Sequence, residues 1–118
     1  MPHTVLIVDD HPSFRTTART LLEAEGYDVV GEAETGVQAL RLAKELDPEV
    51  VLLDVQLPDF DGFEVAARLT AQNGRVPHVV LTSSRDASDF GPLVAESGAR
   101  GFVPKGELSG GALARLIA

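Results

Sequence analysis

Charged side chains stand at the ends of three short apolar segments of this chain. Asp9 and Asp10 directly follow the first segment. Asp54 ends another, and Lys105 follows the last. A short apolar segment of this kind indicates a buried strand that delivers a polar group to its carboxyl end. Because ligands bind at that edge of open α/β sheets, three carboxylates and one amine meeting there would form a site for a divalent cation and a phosphate group.

Mutual repulsion means that the three carboxylates need a counter-charge. Adjacent side chains in a strand point to opposite faces, but beyond the strand end both Asp9 and Asp10 can turn toward Asp54. Each close pair of unit charges repels by about 3–4 kcal/mol at an effective dielectric constant of about 20. A few carboxylates with retained water suit Mg²⁺. The Lys105 ammonium adds a point donor for a phosphoryl oxygen.

With such a cation bound, Asp54 could act as a nucleophile. A carboxylate can attack phosphorus and hold an aspartyl-phosphate, in a transfer that relies on positioning and charge. The Thr82 hydroxyl ends another apolar segment and could donate to the new phosphoryl group, which would couple a charge change to a movement of the chain. Taken singly, each of these residues is more often a turn, cap or exposed residue. The phosphoacceptor interpretation rests on the order in which these acids, the hydroxyl and the lysine follow successive apolar segments.

An alternation of strand and helix patterns, repeated five times, accounts for the spacing of these residues. Apolar runs bounded by turn residues predict strands, and apolar residues at intervals of three and four predict helices. Short links between them imply right-handed crossovers and a parallel sheet. The predicted strands are residues 4–8, 27–33, 50–54, 78–82 and 101–103. The first predicted helix begins at Pro12, and the second follows a capping box formed by Thr35 and Gln38. The third begins near Phe63 and ends near Asn73, and the fourth runs from Ala87 to Ser97. The fifth begins near Leu113.

Length and composition indicate one folded domain. The chain has 118 residues, enough for a single core. Its formal net charge of −8 argues against direct nucleic-acid binding, which needs clustered Lys and Arg. Its apolar runs are far shorter than the roughly 20 residues that cross a bilayer, and its first residues do not resemble a signal peptide. We therefore expect a cytoplasmic protein that does not bind membranes. Because the chain has no cysteine, its cation site cannot use thiolates.

The segments that carry this chemistry resemble those of response-regulator receiver domains, the phosphoacceptor half of two-component signalling. The matching stretches are LIVDD at 6–10, VLLD at 51–54, LPDFDG at 57–62, VLTS at 80–83 and GFVPK at 101–105. The resemblance implies an α/β, flavodoxin-like (βα)5 fold, a doubly wound five-stranded parallel sheet in strand order 2-1-3-4-5. It covers nearly the whole sequence, so residues 1–118 are predicted to form one receiver domain with no effector domain among them. The segments DDHP at 9–12 and FVPKG at 102–106 most resemble those of receivers attached to helix-turn-helix DNA-binding domains, so the expectation is either a stand-alone receiver or the receiver of a longer transcription factor.

The resemblance implies a role for each acid. Asp54 corresponds to the phosphoacceptor. Asp10 corresponds to the carboxylate that binds Mg²⁺ (or Mn²⁺) directly, and Asp9 to the one that usually acts through water. The backbone carbonyl of Gln56 occupies the position of a further metal ligand. His11 follows the acids and is expected to cap a helix or to be exposed, with contact to the pocket as the alternative.

The resemblance also implies a switch. Thr82 corresponds to the hydroxyl that moves to the phosphoryl group, and Ser83 is the alternative if its strand ends one residue later. Lys105 corresponds to the family's lysine. Phe102 corresponds to the aromatic residue that swings inward with the hydroxyl, and a plain core phenylalanine is the competing interpretation.

The function expected from the resemblance is a signalling switch, not an enzyme, whose only chemistry is its own phosphorylation and dephosphorylation. A sensor histidine kinase or phosphotransfer protein would phosphorylate Asp54. Helix four, strand five and helix five would then alter a surface that controls an output, expected to be transcription, or that forms a homodimer. Gln56 and Ser84 occupy the positions that tune self-hydrolysis in the family. Neither is a residue tied to the fastest hydrolysis, so the predicted lifetime exceeds seconds.

Three other functions compete with this one. An aspartate-nucleophile phosphatase of the haloacid dehalogenase type would need a second aspartate where Gln56 stands. A flavodoxin would need a hydroxyl- and glycine-rich phosphate loop, whereas Asp9 and Asp10 would repel a flavin phosphate. A receiver fold that only binds proteins, without phosphorylation, remains open.

Overall fold

The computed structural model describes residues 3–71 and 74–117. Within these residues, five strands and five α-helices alternate along the chain, with two short 3₁₀ turns after the fourth and fifth strands. The strands are β1 Thr4–Val8, β2 Asp28–Ala33, β3 Val50–Asp54, β4 His78–Ser83 and β5 Gly101–Pro104. The α-helices are α1 Pro12–Ala24, α2 Gly36–Leu46, α3 Gly62–Thr70, α4 Leu93–Glu96 and α5 Gly110–Ile117, and the 3₁₀ turns are Ala87–Phe90 and Lys105–Glu107.

The strands form one parallel sheet in the order β2-β1-β3-β4-β5. This confirms the predicted flavodoxin-like fold. All five residues of β3 are buried, as expected for a central strand covered by helices on both faces. Side chains that alternate along the strands therefore divide into two apolar cores. Leu53 and Leu81 belong to the core beneath α2 and α3, and Leu52 and Val80 to the core beneath α1 and α5.

The prediction of one continuous fourth helix is wrong. The sequence pattern predicted one helix over residues 87–97, but the chain forms a 3₁₀ turn and then a separate single turn of α-helix. Gly91 interrupts the two at a φ of +56°, a conformation that favours glycine, and Pro92 follows with no backbone N–H to donate. Leu93, at the start of that single turn, is consequently 46% exposed.

Other helix boundaries also differ from the predictions. α3 ends at Thr70, before the predicted end near Asn73, which lies outside the described residues. α5 begins at Gly110, earlier than Leu113, because the Ser109 hydroxyl accepts a hydrogen bond from the N–H of Ala112 at 3.0 Å. At α2 the predicted cap is confirmed, since Thr35 Oγ1 accepts from the N–H of Gln38 at 3.1 Å.

Candidate functional site

The register of the central strands brings the predicted site residues to one edge of the sheet. Asp54, the last residue of β3, pairs with Thr82 of β4, and Thr82 pairs with Val103 of β5. Paired residues of parallel strands share a face, and Val103 belongs to the core beneath α1 and α5. The Asp54 carboxylate and the Thr82 hydroxyl therefore lie on the same side of the sheet, with Lys105 directly after β5.

Asp9 is the most enclosed of the three acids. Its side chain is fully buried, and Oδ1 accepts a hydrogen bond from the backbone N–H of His11 at 2.8 Å and lies 2.9 Å from His11 Nδ1. Oδ2 lies 2.6 Å from Lys105 Nζ in an ion pair. Within the described part of the chain, Oδ2 is nevertheless a buried oxygen without a well-directed hydrogen bond. An oxygen in this state has capacity for a further cation or an ordered water.

Lys105 supplies the positive charge of the site. Its Nζ lies 3.3 Å from Asp54 Oδ2 as well as 2.6 Å from Asp9 Oδ2, and 4.6 Å from the centroid of the Phe14 ring. Two carboxylates and an aromatic face thus hold the ammonium, and only 17% of the lysine side chain is exposed. A lysine taken singly is more often exposed, whereas Lys105 is mostly buried because its charge offsets that of the buried acids.

Asp54 is an acid whose charge is costly in the folded protein. Burial raises the pKa of its carboxyl group above the ordinary value, and the nearby Asp9 carboxylate acts in the same direction. The backbone N–H of Gln56, which donates to Oδ1 at 3.1 Å, and the Lys105 ammonium oppose the rise in pKa. The side chain is 4% exposed, so a binding cation or phosphoryl donor meets a carboxylate already held in place.

A glycine allows the loop after β3 to close tightly behind Asp54. The N–H of Gly62 donates to the carbonyl of Val55 at 2.6 Å. A Cβ atom at this position would overlap the Asp54 carbonyl oxygen. The start of α3 can therefore approach the backbone of Asp54 only because residue 62 has no side chain. Asp61 caps that helix by accepting from the N–H of Glu64 at 2.8 Å.

Thr82 and Ser83 are both buried but differ in direction. The Thr82 hydroxyl donates to the carbonyl of Val103 at 2.7 Å, which ties β4 to β5 beside Asp54. Ser83 ends β4, one residue later than predicted, and its Oγ accepts from the N–H of Arg85 at 3.1 Å. Since Thr82 is the register partner of Asp54, the geometry favours Thr82 over Ser83 as the hydroxyl nearest the acid.

Phe102 contacts the core on the other face of the sheet. It is half-buried and packs against the core beneath α2 and α3. Its ring lies 5.7 Å from that of Phe90, which in turn lies 5.5 Å from that of Phe63. This packing fits a core phenylalanine in the present conformation, and it leaves a switching role as a prediction.

His11 is exposed, as the sequence favoured, and it also contacts the acids. It occupies the N-cap position of α1, but its side chain makes no capping hydrogen bond. Nδ1 lies 2.9 Å from Asp9 Oδ1 and 3.1 Å from Asp10 Oδ1. Its position immediately after two acids was the available signal, and only the helix entry angle could show where the ring points.

The donor set fits a divalent cation. One side-chain donor atom from each of Asp9, Asp10, His11 and Asp54 lies within 4.8 Å of the others. Oxygen-rich donors with a partly exposed member, such as Asp10, suit a hard cation that keeps part of its water. Gln56 is exposed and lies next to these donor atoms, because its backbone N–H donates to Asp54 Oδ1. Its backbone carbonyl stays a predicted metal ligand.

The sequence matches the family model of the response regulator receiver domain over residues 5–116. The chain belongs to this family. It is 42% identical over 107 residues to BvgA of Bordetella pertussis, described as a positive transcription regulator of virulence factors, covering 91% of this chain and 51% of BvgA. It is 40% identical over 103 residues to the response regulator GacA of Pseudomonas aeruginosa, covering 86% of this chain and 48% of GacA.

Solved receiver structures agree with the family assignment. The signal receiver domain of NarL from Mycobacterium tuberculosis superposes with a TM-score of 0.84 at 35% identity, covering 98% of this chain and 96% of that one. The receiver chain spans about half the length of the curated relatives it matches. Within the described residues, no helix is long and apolar enough to cross a membrane.

Proposed function

We propose that this receiver domain accepts a phosphoryl group on Asp54. The observation that carries the proposal is the carboxylate itself, which is buried, held by the N–H of Gln56 and ion-paired with Lys105. In the transfer, an Asp54 carboxylate oxygen forms a bond to phosphorus while the bond from phosphorus to the donor nitrogen of a phosphohistidine breaks. The electron pair stays on that nitrogen, and a proton on the other ring nitrogen of the phosphohistidine makes the leaving group a neutral imidazole.

A magnesium ion, or Mn²⁺, would neutralise the charge on the phosphoryl oxygens during this transfer. Asp10, Asp54 and the carbonyl of Gln56 would hold it directly, and Asp9 through water. The backbone N–H of His11 donates to Asp9 Oδ1, and the Lys105 ammonium lies 2.6 Å from Oδ2, which supports the outer role of Asp9. Lys105 would hold a phosphoryl oxygen once Asp54 is modified, because its Nζ already lies beside Asp54 Oδ2.

Thr82 would convert the modification into a structural change. Its hydroxyl now donates to the Val103 carbonyl, so donation to the phosphoryl group would require leaving that acceptor. The link between β4 and β5 would change, and with it the packing of Phe102 on Phe90. The surface of α4, β5 and α5 would then differ between the two states and would control a partner, an attached output domain or a second copy of the chain.

The similarity to BvgA and GacA supports transcription as the output. The acidic receiver itself would not contact DNA, since its net charge is −8. The donor would be a cytoplasmic histidine kinase domain or phosphotransfer protein. Gln56 and Ser84 support a phosphorylated lifetime longer than seconds. Loss of label within seconds of removing the donor would contradict that lifetime.

Labelling by a small acyl phosphate tests the assignment. Radiolabelled acetyl phosphate should label the protein in the presence of Mg²⁺ and not in the presence of a chelator. Asp54→Asn should abolish the label, because an amide oxygen is a poor nucleophile. Asp86→Asn removes an exposed acid that caps no backbone N–H and is the matched control. Undiminished labelling of Asp54→Asn would refute the proposal, and absence of labelling in the wild-type protein would favour a receiver that only binds proteins.

A further inference from the structure

We propose that the His11 imidazole is a fourth protein ligand of the divalent cation, through Nδ1, and that it shifts the metal preference of the site from Mg²⁺ toward Mn²⁺. This inference rests on the proposed function, because it concerns the cation held by Asp10, Asp54 and the Gln56 carbonyl. It adds a nitrogen donor to a site otherwise made of oxygen.

The first argument is the direction of the side chain. His11 lies at the N-cap of α1 with an extended backbone, φ −95° and ψ 110°, and Pro12 fixes the first helical turn. The His11 side chain accepts no hydrogen bond from its helix, while its backbone N–H is anchored on Asp9 Oδ1 at 2.8 Å. The backbone contact and the helix entry together hold the ring over the acids.

The second argument is the spacing of the donor atoms. Nδ1 lies 2.9 Å from Asp9 Oδ1 and 3.1 Å from Asp10 Oδ1. In an octahedral ion with bonds of about 2.1 Å, neighbouring ligand atoms lie about 3 Å apart. Nδ1 is therefore already at the separation from Asp10 that two adjacent ligands of one ion require. The donor atoms of the group lie within 4.8 Å of one another, so the two farthest apart would approach by up to about 0.6 Å to reach the span of about 4.2 Å between opposite ligands of such an ion.

The third argument is the chemistry of an imidazole in this position. As a ligand, Nδ1 would carry no proton, and the proton would reside on Nε2. The His11 side chain is 62% exposed, so water can solvate Nε2–H. An imidazole nitrogen favours transition metals over Mg²⁺, which prefers oxygen and retains water. Replacing one water by Nδ1 would thus stabilise bound Mn²⁺ more than bound Mg²⁺.

A competing arrangement makes different predictions. Nδ1 could instead keep its proton and donate it to Asp9 and Asp10, so that His11 would only orient the carboxylates around the ion. The groups that face the ring are these two acids and, beyond Asp9, the Lys105 ammonium. In that arrangement His11 would affect Mg²⁺ and Mn²⁺ alike, and no nitrogen would be bonded to the metal.

Electron spin echo envelope modulation of the whole chain loaded with manganese chloride distinguishes the two. We expect a modulation from a directly bonded nitrogen in the wild-type protein, and its loss in His11→Ala and in His11→Gln. The control is His3→Gln, which changes an exposed histidine paired with Glu49 and should keep the modulation. By calorimetry, the ratio of Mn²⁺ to Mg²⁺ affinity should fall about 10-fold in the His11 variants, within the range for loss of a metal-site contact.

Each outcome separates this inference from the proposed function. Tight Mn²⁺ binding without a nitrogen modulation overturns the role of His11 and leaves Asp54 as the phosphoacceptor. A modulation that persists in both His11 variants also overturns it. If the folded wild-type protein binds neither Mn²⁺ nor Mg²⁺, the His11 ligand is refuted together with the metal site, while acyl-phosphate labelling decides separately whether Asp54 is modified. Circular dichroism shows whether each variant is folded.

Discussion

Replacement of Lys105 by methionine should destabilise the metal-free protein in a way that depends on pH and on Mg²⁺. Methionine keeps much of the aliphatic stem against Phe14 but removes the ammonium, which lies 2.6 Å from Asp9 Oδ2 and 3.3 Å from Asp54 Oδ2. Both carboxylates are buried, so neither can be solvated by water in exchange. The variant therefore leaves two like charges in a poorly solvated pocket.

The distances give the size of the effect. At an effective dielectric constant of about 20, the ammonium attracts the two carboxylates by roughly 6 and 5 kcal/mol. Much of this attraction offsets the desolvation of three charged groups. Removing one partner of a buried ion pair costs about 3–5 kcal/mol in practice. We expect Lys105→Met to lower the free energy of unfolding by about 3 kcal/mol near neutral pH in the presence of a chelator.

The pH dependence follows from Asp54. Its pKa is already raised by burial and by Asp9, and loss of the Lys105 charge would raise it further. A carboxyl group with a raised folded-state pKa costs nothing below its unfolded pKa of about 3.9 and destabilises the fold as pH rises through the folded value. The defect should therefore shrink on acidification. Millimolar Mg²⁺ should also reduce it, because the ion replaces part of the missing charge.

Urea denaturation at mildly acidic and neutral pH, with Mg²⁺ or with a chelator, provides the measurement. Lys44→Met on the exposed side of α2 is the matched control and should be nearly neutral under all conditions. A Lys105→Met variant as stable as the wild-type protein would refute the reasoning. A loss that is the same at both pH values and with or without Mg²⁺ would equally refute it, since it would then reflect packing and not charge.

Further substitutions test other contacts. Asp54→Asn should raise the melting temperature of the metal-free protein, by an amount that grows as pH rises through the raised Asp54 pKa; a lower melting temperature would contradict the sign of that shift. Thr82→Val should cost about 1–2 kcal/mol in urea denaturation by leaving the Val103 carbonyl unpaired, whereas Thr82→Ser should cost less. Gly62→Ala should cost roughly 1–3 kcal/mol, because its Cβ would meet the Asp54 carbonyl, and an unchanged midpoint would disprove that contact. The pKa of Asp59 is lowered because its carboxylate accepts hydrogen bonds from the N–H groups of Val37 and Gly36. In thermal melts the wild-type protein should therefore be more stable than Asp59→Asn near neutral pH, and this difference should disappear on acidification below about pH 4.

The sequence predicted the sheet well because its strand patterns are strong. Buried strands such as β3 read as continuous apolar runs ended by a charge, and that ending also located the site. The prediction failed at residues 87–97, where apolar spacing suggested a helix but Gly91 and Pro92 disrupt the backbone. Periodicity reports which side chains are apolar, whereas this break depends on backbone conformation.

The sequence predicted the members of the site better than their contacts. Order along the chain brought Asp9, Asp54 and Lys105 together, but it could not show that Lys105 lies closer to Asp9 than to Asp54. Nor could it show that Thr82 is engaged by the Val103 carbonyl or that His11 contacts both acids. These contacts depend on strand register and on the entry angle of α1, which are set by packing between distant segments.

The location of the phosphoryl group tests the central claim most directly. After reaction with acetyl phosphate and Mg²⁺, borohydride reduction converts an aspartyl-phosphate to homoserine, and peptide mass spectrometry identifies the modified position. We expect homoserine at Asp54, and we expect none there when Mg²⁺ is replaced by a chelator. Homoserine at another acid, or a protein that stays unmodified while retaining bound Mg²⁺, would contradict the assignment of Asp54 as the phosphoacceptor.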